Sequence, residues 1–192
     1  SHSIQIDKKD ELFTLSHIGS LLSERNPIVL WEVLSELIKE DLEFSNVFQL
    51  NFVGIISDDV LESIYKYGLK DYVNSVGYVS HNEAIKFQMK SQVLLLIEIN
   101  SEDTKAIIPG KLFEYLIAET PILAIGPKDS DIERIITTTN SGTYFNYKEK
   151  ENLKAQIKSY FEAYKAGNLK CYTIGLQHYS RKAITKQLAA II

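Results

Sequence analysis

Short apolar runs alternate with amphipathic segments along most of the chain. The apolar runs predict strands at residues 13–18, 49–56, 72–79, 93–99, 122–125 and 142–146. Between and after them, apolar residues recur at helical spacing, which predicts helices over residues 27–38, 58–67, 81–90, 109–119, 148–166 and 179–191, with a further short helix beginning at about residue 131. Alternating strands and helices with short connections favour parallel strands joined by crossover helices. We therefore expect an α/β fold, a doubly wound parallel sheet of about six strands with helices on both faces.

Local signals mark several ends of these elements. Ser80 and Glu83 have the spacing of a capping box, as do Ser130 and Glu133, so a helix is expected to begin at each pair. Gly68 stands where a helix prefers a glycine after its last turn. These signals support the helix boundaries that the periodicity predicts.

Composition limits the class of protein. The 192 residues carry a net charge of −4, which argues against a nucleic-acid partner, and no apolar run approaches the ~20 residues of a membrane span. The N-terminus is polar, and Cys171 is the only cysteine, which together favour a cytoplasmic setting. We expect residues 1–11 to be a lead-in or an expression scar, and residues 12–192 to form one domain.

Candidate binding residues collect where the predicted strands end. In a doubly wound sheet, ligands bind outside the carboxyl ends of the strands. Arg25, Tyr78, His81, Lys111 and Glu114 all lie on, or just after, the loops at that edge. Their convergence predicts a site there.

The predicted helix from about Pro109 carries the clearest chemistry. Its first N–H groups favour an anion, Gly110 allows close approach to the backbone, and Lys111 adds a positive charge. Glu114 lies on the same face, where its carboxylate could accept hydrogen bonds from a diol such as a ribose. The alternative is a solvated Lys111–Glu114 pair on an ordinary surface helix. His17, which alternates with apolar residues in the first strand, is expected to be a packed or rim histidine.

Four segments together resemble the C-terminal, donor-binding domain of GT-B fold glycosyltransferases of the group 1 family. They are HIGSLLSERNP at 17–27, LNFVGII at 50–56, the segment 69–97 and PGKLFEYLIAETPILAIG at 109–126. With SGTYF at 141–145, the resemblance covers almost all of residues 12–192. It implies a Rossmann-like domain that binds a nucleoside diphosphate sugar as substrate, with no cofactor and no metal.

The resemblance also implies residue roles. Glu114 matches the glutamate that holds the donor ribose, and the backbone at Gly110 and Lys111 would face the diphosphate. Arg25 falls where the family usually has a phosphate-binding lysine. The nucleobase would meet the backbone at 78–79, and the first loop would pass the donor at its glycine. The implied donor-binding residues are therefore Gly19, Arg25, Tyr78, Val79, Gly110, Lys111 and Glu114, and none is implied with certainty to be catalytic.

Two positions depart from the family pattern. The family often has a second glutamate eight positions before the ribose glutamate, where this chain has Ala106, and an arginine where this chain has Ser20. Glu98 and Glu102 are nearby carboxylates that could substitute, or they are ordinary loop residues. The departures leave the sugar, and activity itself, open.

The resemblance implies a larger enzyme, a retaining glycosyltransferase of polysaccharide or glycoconjugate synthesis. Its partners would be a missing N-terminal acceptor-binding domain and a sugar or lipid-linked acceptor, and the fragment alone is expected to be inactive. The enzyme would be cytoplasmic or peripheral at the inner membrane. The final helix, 179–191, would run back to the N-terminal domain or pack on its own domain. The alternatives are half of a nucleotide-sugar epimerase of the same fold and a degenerate nucleotide-binding or scaffold domain.

Overall fold

Six parallel strands form one sheet in the computed structural model, which describes residues 8–179. The order across the sheet is β3-β2-β1-β4-β5-β6, and all five neighbouring pairs are parallel. The strands are β1 (Phe13–Ile18), β2 (Phe48–Val53), β3 (Val73–Gly77), β4 (Val93–Ile97), β5 (Ile122–Gly126) and β6 (Gly142–Asn146). All six strands lie within or close to the predicted runs, so the predicted sheet is confirmed.

Helices cover both faces of this sheet. Within the described residues they are α1 (Ile28–Glu40), α2 (Leu42–Val47), α3 (Asp58–Lys66), α4 (His81–Lys90), α5 (Gly110–Ile117), α6 (Asp131–Thr138) and α7 (Lys150–Lys165). The short helix α2 was not predicted. It is capped by the side chain of Asp41, which accepts a hydrogen bond from the backbone N–H of Phe44. The predicted helix over 179–191 lies outside the described residues, apart from its first position.

Each face of the sheet has its own apolar core. In β4, Val93, Leu95 and Ile97 contact the core beneath α1, α3 and α7, while the alternate residues, Leu94 and Leu96, contact the core beneath α4, α5 and α6. A strand buried on both sides needs apolar residues at every position rather than at every second one. The unbroken apolar runs of β4 and β5 therefore reflect the doubly wound, Rossmann-like architecture.

Both capping signals start helices, but they differ in detail. At α4, the Ser80 hydroxyl accepts from the Glu83 N–H and the Glu83 carboxylate accepts from the Ser80 N–H, a complete capping box. At α6, Ser130 accepts from Glu133 as expected, but the Glu133 carboxylate accepts from the N–H of Asp129 instead. Asp129 has a left-handed backbone (φ 61°), which turns its N–H toward that carboxylate.

Three predicted strands extend past the observed ends. The run over 49–56 ends at Val53 because Gly54 takes a positive φ of 125°, which breaks the extended backbone. In the same way, the run over 72–79 ends at Gly77 (φ 77°), whose carbonyl accepts from the N–H of Gly54. The run over 93–99 ends at Ile97. The strands are therefore shorter, and their carboxyl-end loops longer, than the apolar pattern predicts.

The centre of the sheet opens between β1 and β4, the point where the strand order reverses. Their register pairs are Leu15 with Val93 and Ser16 with Leu94, near the amino ends. Further along, the buried Tyr115 hydroxyl bridges the two strands: it accepts from the N–H of Ile18 (3.0 Å) and donates to the carbonyl of Leu95 (3.2 Å). A side chain of α5 thus occupies the gap that opens toward the carboxyl edge.

The N-terminal segment is attached to the domain from Lys9 onward. The Lys9 ammonium donates to the carbonyl of Ser91 (3.0 Å) and to the hydroxyl of Thr120 (2.7 Å), and the backbone N–H of Asp10 donates to the carbonyl of Lys90.

Across residues 8–179, no helix has both the length and the apolar character needed to cross a membrane.

Candidate functional site

Two adjoining cavities lie at the carboxyl edge of the sheet. One, of about 270 Å³, is lined by the ends of β1 and β2 and by the loop before α4, including Gly19, Tyr78 and Val79. The other, of about 540 Å³, lies along α5 and is lined by Gly110, Glu114 and several apolar side chains. His81, the first residue of α4, lines both cavities. Five of the seven predicted donor-binding residues therefore line these two cavities, which share His81.

Glu114 is held in place by a neighbouring helix. Its carboxylate accepts a hydrogen bond from the side-chain amide of Gln88 (3.0 Å), a residue of α4 that is buried. The Nε2 atom of His81 lies 3.9 Å from the other carboxylate oxygen. One oxygen is thus fixed by a buried amide, while the side chain stays about 30% exposed toward the cavity. The carboxylate can still accept hydrogen bonds from a ligand there.

Lys111 points inward instead of pairing with Glu114. Its Nζ lies 3.2 Å from Nε2 of His17 and 4.0 Å from the point where a Cβ on Gly19 would sit. Burial lowers the pKa of Lys111 to about 8; the negative charge of Glu98 opposes this shift and the positive charge of Arg25 adds to it. The surface-pair alternative is therefore wrong for this lysine.

His17 lies beneath that lysine and is completely buried. Burial, and after it the charge of Lys111, holds the pKa of His17 well below its ordinary value, so the ring is neutral. When Nε2 accepts from Lys111, the ring proton lies on Nδ1, and the backbone of Gly19 partly opposes the lowering of the pKa of His17. The sequence predicts a packed histidine at this position, but not its contact with Lys111.

Glu98 adds a buried carboxyl group to the same cluster. It follows β4 directly and is only 5% exposed, anchored by its backbone to Ile125 and Tyr147. Burial raises the pKa of Glu98, and the charges of Lys111 and Arg25 partly oppose that shift. Its burial could not be predicted, because the apolar run continues past it to residue 99.

The other proposed substitute carboxylate lies outside the cluster. Glu102 is exposed and forms an ion pair with Lys105 (2.7 Å). Ala106, where the family pattern often has a glutamate, is exposed as well. Of the two candidates, Glu98 is therefore the one whose burial and charged neighbours place it within the site cluster.

The remaining predicted site residues lie at the rim. Arg25 ends a short 3-10 turn (Ser23–Arg25) after β1 and is half-buried, close enough for its charge to act on Glu98 and Lys111. The Tyr78 side chain is 89% exposed, whereas Val79 packs against the core beneath α4.

Within the described residues, no group of three or more His, Cys, Asp or Glu side chains is arranged to hold a metal ion.

Solved glycosyltransferases have the same architecture. WaaG, a glycosyltransferase involved in lipopolysaccharide biosynthesis, matches with a TM-score of 0.64 at 17% identity, over 84% of this chain and 42% of WaaG. HepE of Anabaena in complex with UDP matches with a TM-score of 0.60 at 13% identity, over 80% of this chain and 40% of HepE. The C-terminal domain of the group 1 protein LpcC from Francisella tularensis matches with a TM-score of 0.59 at 12% identity, over 84% and 80% of the two chains.

These likenesses are structural. No protein-family model matches the chain, and no curated protein matches it in sequence. The chain spans less than half the length of WaaG and of HepE, but most of the separately solved LpcC domain. The chain therefore has the fold of the C-terminal domain of the GT-B group 1 glycosyltransferases.

Proposed function

We propose that this chain is the donor-binding domain of a retaining glycosyltransferase of polysaccharide or glycoconjugate synthesis. An N-terminal acceptor-binding domain would complete the enzyme. The observation that carries the proposal is the placement of Lys111 and Glu114 within one turn of α5, at the switch point of the sheet. An inward-facing cation and a carboxylate held by a buried amide are suited to the diphosphate and the ribose of one ligand.

The donor would lie across both cavities. Its diphosphate would meet the backbone at Gly110, with Lys111 and Arg25 supplying positive charge. Glu114 would accept hydrogen bonds from the ribose hydroxyls one helical turn deeper. The nucleobase would lie against the loop at Tyr78 and Val79.

In the complete enzyme, the bond between the sugar and the β-phosphate would break, and a bond to an acceptor oxygen would form. The acceptor hydroxyl would lose its proton, and the nucleoside diphosphate would leave. Because negative charge develops on that diphosphate, fixed cations near it stabilise the transition state. Arg25, Lys111 and the first turn of α5 would supply this share of catalysis.

Ligands of the structural neighbours indicate which nucleotide to test first. HepE was solved in complex with UDP and with UDP-glucose, and the pneumococcal O-GlcNAc transferase GtfA in complex with UDP and GlcNAc. These ligands are properties of those proteins. They make UDP the first probe for this chain, with GDP and ADP as comparisons.

Calorimetric titration with UDP, GDP and ADP tests the proposal. We expect one diphosphate to bind in preference to the others, and its binding to be lost in Glu114→Ala while the fold is kept. Glu102→Ala is the matched control, because Glu102 is an exposed carboxylate on the same edge that pairs with Lys105. Unchanged affinity in Glu114→Ala would refute the role of that residue. No binding of any diphosphate at millimolar concentration would mean either that an N-terminal domain is needed to close the site or that the domain is a degenerate scaffold, and a titration of the full-length protein would separate the two.

A further inference from the structure

Lys111 has an unusual environment for a phosphate-binding lysine. Its amine contacts a fully buried imidazole, with Nζ 3.2 Å from Nε2 of His17, and lies beneath the turn at Gly19. A lysine on a surface helix would keep its ammonium group hydrated. Here one neutral ring nitrogen takes the place of part of that water, so the charge is only partly solvated.

The charged and titratable groups facing Lys111 come from three parts of the chain. They are His17 at the end of β1, Arg25 in the loop after β1, and Glu98 after β4. His17 is neutral, and the charges of Glu98 and Arg25 act on the pKa of Lys111 in opposite directions, Glu98 raising it and Arg25 lowering it. The pKa of about 8 for Lys111 therefore follows mainly from burial.

We infer that diphosphate binding at this edge is linked to the uptake of a proton by Lys111, and that His17 is the positioning residue that holds the amine in place. This inference rests on the proposed donor-binding function. The proton comes from solvent and moves onto Nζ, and no bond of the nucleotide breaks. A dianionic or trianionic ligand favours the charged amine, just as the charged amine favours the ligand.

Linkage gives the sign of the effect. Below about pH 7 the amine of Lys111 is already protonated, so ligand binding takes up almost no further protons. Above its pKa of about 8, each bound diphosphate must also bring one proton, so the affinity falls by about tenfold per pH unit. A terminal phosphate has its last pKa near about 6, so the nucleotide does not change charge in this range.

The test is calorimetry with UDP from about pH 7 to about pH 9.5 in buffers of different ionisation enthalpy. We expect wild-type affinity to fall above pH 8, with net proton uptake. Lys111→Arg is the control, because arginine keeps its charge up to about pH 12. The affinity of this variant for UDP should therefore not change with pH over the tested range. This control retains Glu98, so a pH dependence of the affinity that is caused by that carboxyl group would persist in the variant.

The outcomes separate the two proposals. Flat wild-type affinity without proton uptake overturns the linkage and leaves the proposed function intact. If UDP binds at no pH, both proposals fail. A slope that persists in Lys111→Arg also overturns the linkage, because it must come from another group.

Two variants of His17 test its positioning role. His17→Gln can keep an acceptor oxygen near the position of Nε2, so the pH at which the affinity for UDP begins to fall should be unchanged. His17→Leu removes the acceptor, so that pH midpoint should move to a lower value. If both variants lose stability and neither moves the midpoint, His17 is only a packing residue and its positioning role is overturned. Titration of the Lys111 Nζ by NMR in the free wild-type protein needs no variant. A midpoint near the ordinary value of about 10.4 would overturn the linkage directly.

Discussion

The amide of Gln88 donates a hydrogen bond of 3.0 Å to the carboxylate of Glu114, linking the last turn of α4 to the middle of α5. Gln88 is only 1% exposed, so this bond is shielded from water. A carboxylate fixed in this way needs less ordering when a ligand arrives. The affinity for a diol should therefore depend on a residue that does not line either cavity.

We expect Gln88→Met to weaken nucleotide binding by about tenfold, because a charged hydrogen bond of this kind contributes about 1.5 kcal/mol or more. Methionine fills a similar volume but cannot donate. Isothermal calorimetry with UDP measures the effect. The control is Gln92→Met, because Gln92 is also buried but donates to Asp10 at the opposite edge of the sheet. Equal losses of affinity in the two variants would contradict the prediction.

Tyr115→Phe should lower the free energy of unfolding by about 1–3 kcal/mol, because the N–H of Ile18 and the carbonyl of Leu95 lose their shared partner in a buried place. Urea denaturation measures the change. Tyr160→Phe is the comparison, since its hydroxyl, within residues 8–179, forms its hydrogen bond with the side chain of Thr143 alone. The prediction fails if the two variants are equally stable.

Gly54→Ala should be more destabilising than Gly68→Ala. Both glycines have positive φ, 125° and 77°. An alanine at Gly68 lies near the left-handed helical conformation and is strained by about 1–2 kcal/mol, whereas φ 125° lies further from any conformation that alanine adopts, so its strain is larger. At Gly54, moreover, the new Cβ would lie 2.7 Å from the carbonyl oxygen of Gly19, whereas at Gly68 no atom of residues 8–179, chain neighbours aside, lies within 4 Å. Thermal unfolding of the two variants measures the difference. Similar midpoint temperatures of unfolding would contradict the prediction and show that the turn at Gly19 can move away from the new Cβ at little cost.

The acid stability of the protein should depend on Glu36. Hydrogen bonds from Lys150 and Lys154 lower the pKa of this α1 carboxylate to about 2, so its contribution to stability is fully present above its unfolded pKa of about 4.5. That contribution is lost as the pH falls toward 2. Urea denaturation across this range should show a smaller loss in Glu36→Gln than in the wild type.

A matched variant makes the acid prediction specific. Glu62→Gln removes an exposed carboxylate from α3 instead. We expect it to keep the wild-type dependence on pH. A profile that flattens equally in both variants would assign the effect to net charge, not to the contacts of Glu36.

The strands and most helices could be predicted because their signals are local. The alternation of apolar runs and capping residues, such as the Ser80–Glu83 pair, depends on neighbours within one element. The position of Lys111 and Glu114 at one helix start was accessible for the same reason. The missed helix α2 is too short to show a periodic pattern.

The contacts that define the candidate site were not accessible in this way. The Lys111–His17 contact joins residues far apart in sequence, and nothing near either residue indicates it. Tyr115 has the same pattern as any buried aromatic residue, although its hydroxyl bridges two strands. The burial of Glu98 depends on how far β4 extends, which the apolar run overestimates.

The opening between β1 and β4 also has a consequence for folding. Strands β1 to β3 pair with neighbours in sequence, as do β4 to β6, so each half-sheet closes through one crossover connection at a time. The two halves pair directly through the short register of Leu15 with Val93 and Ser16 with Leu94, across most of the first half of the chain. We therefore expect this seam to form late, so that the edge where a donor would bind is assembled last.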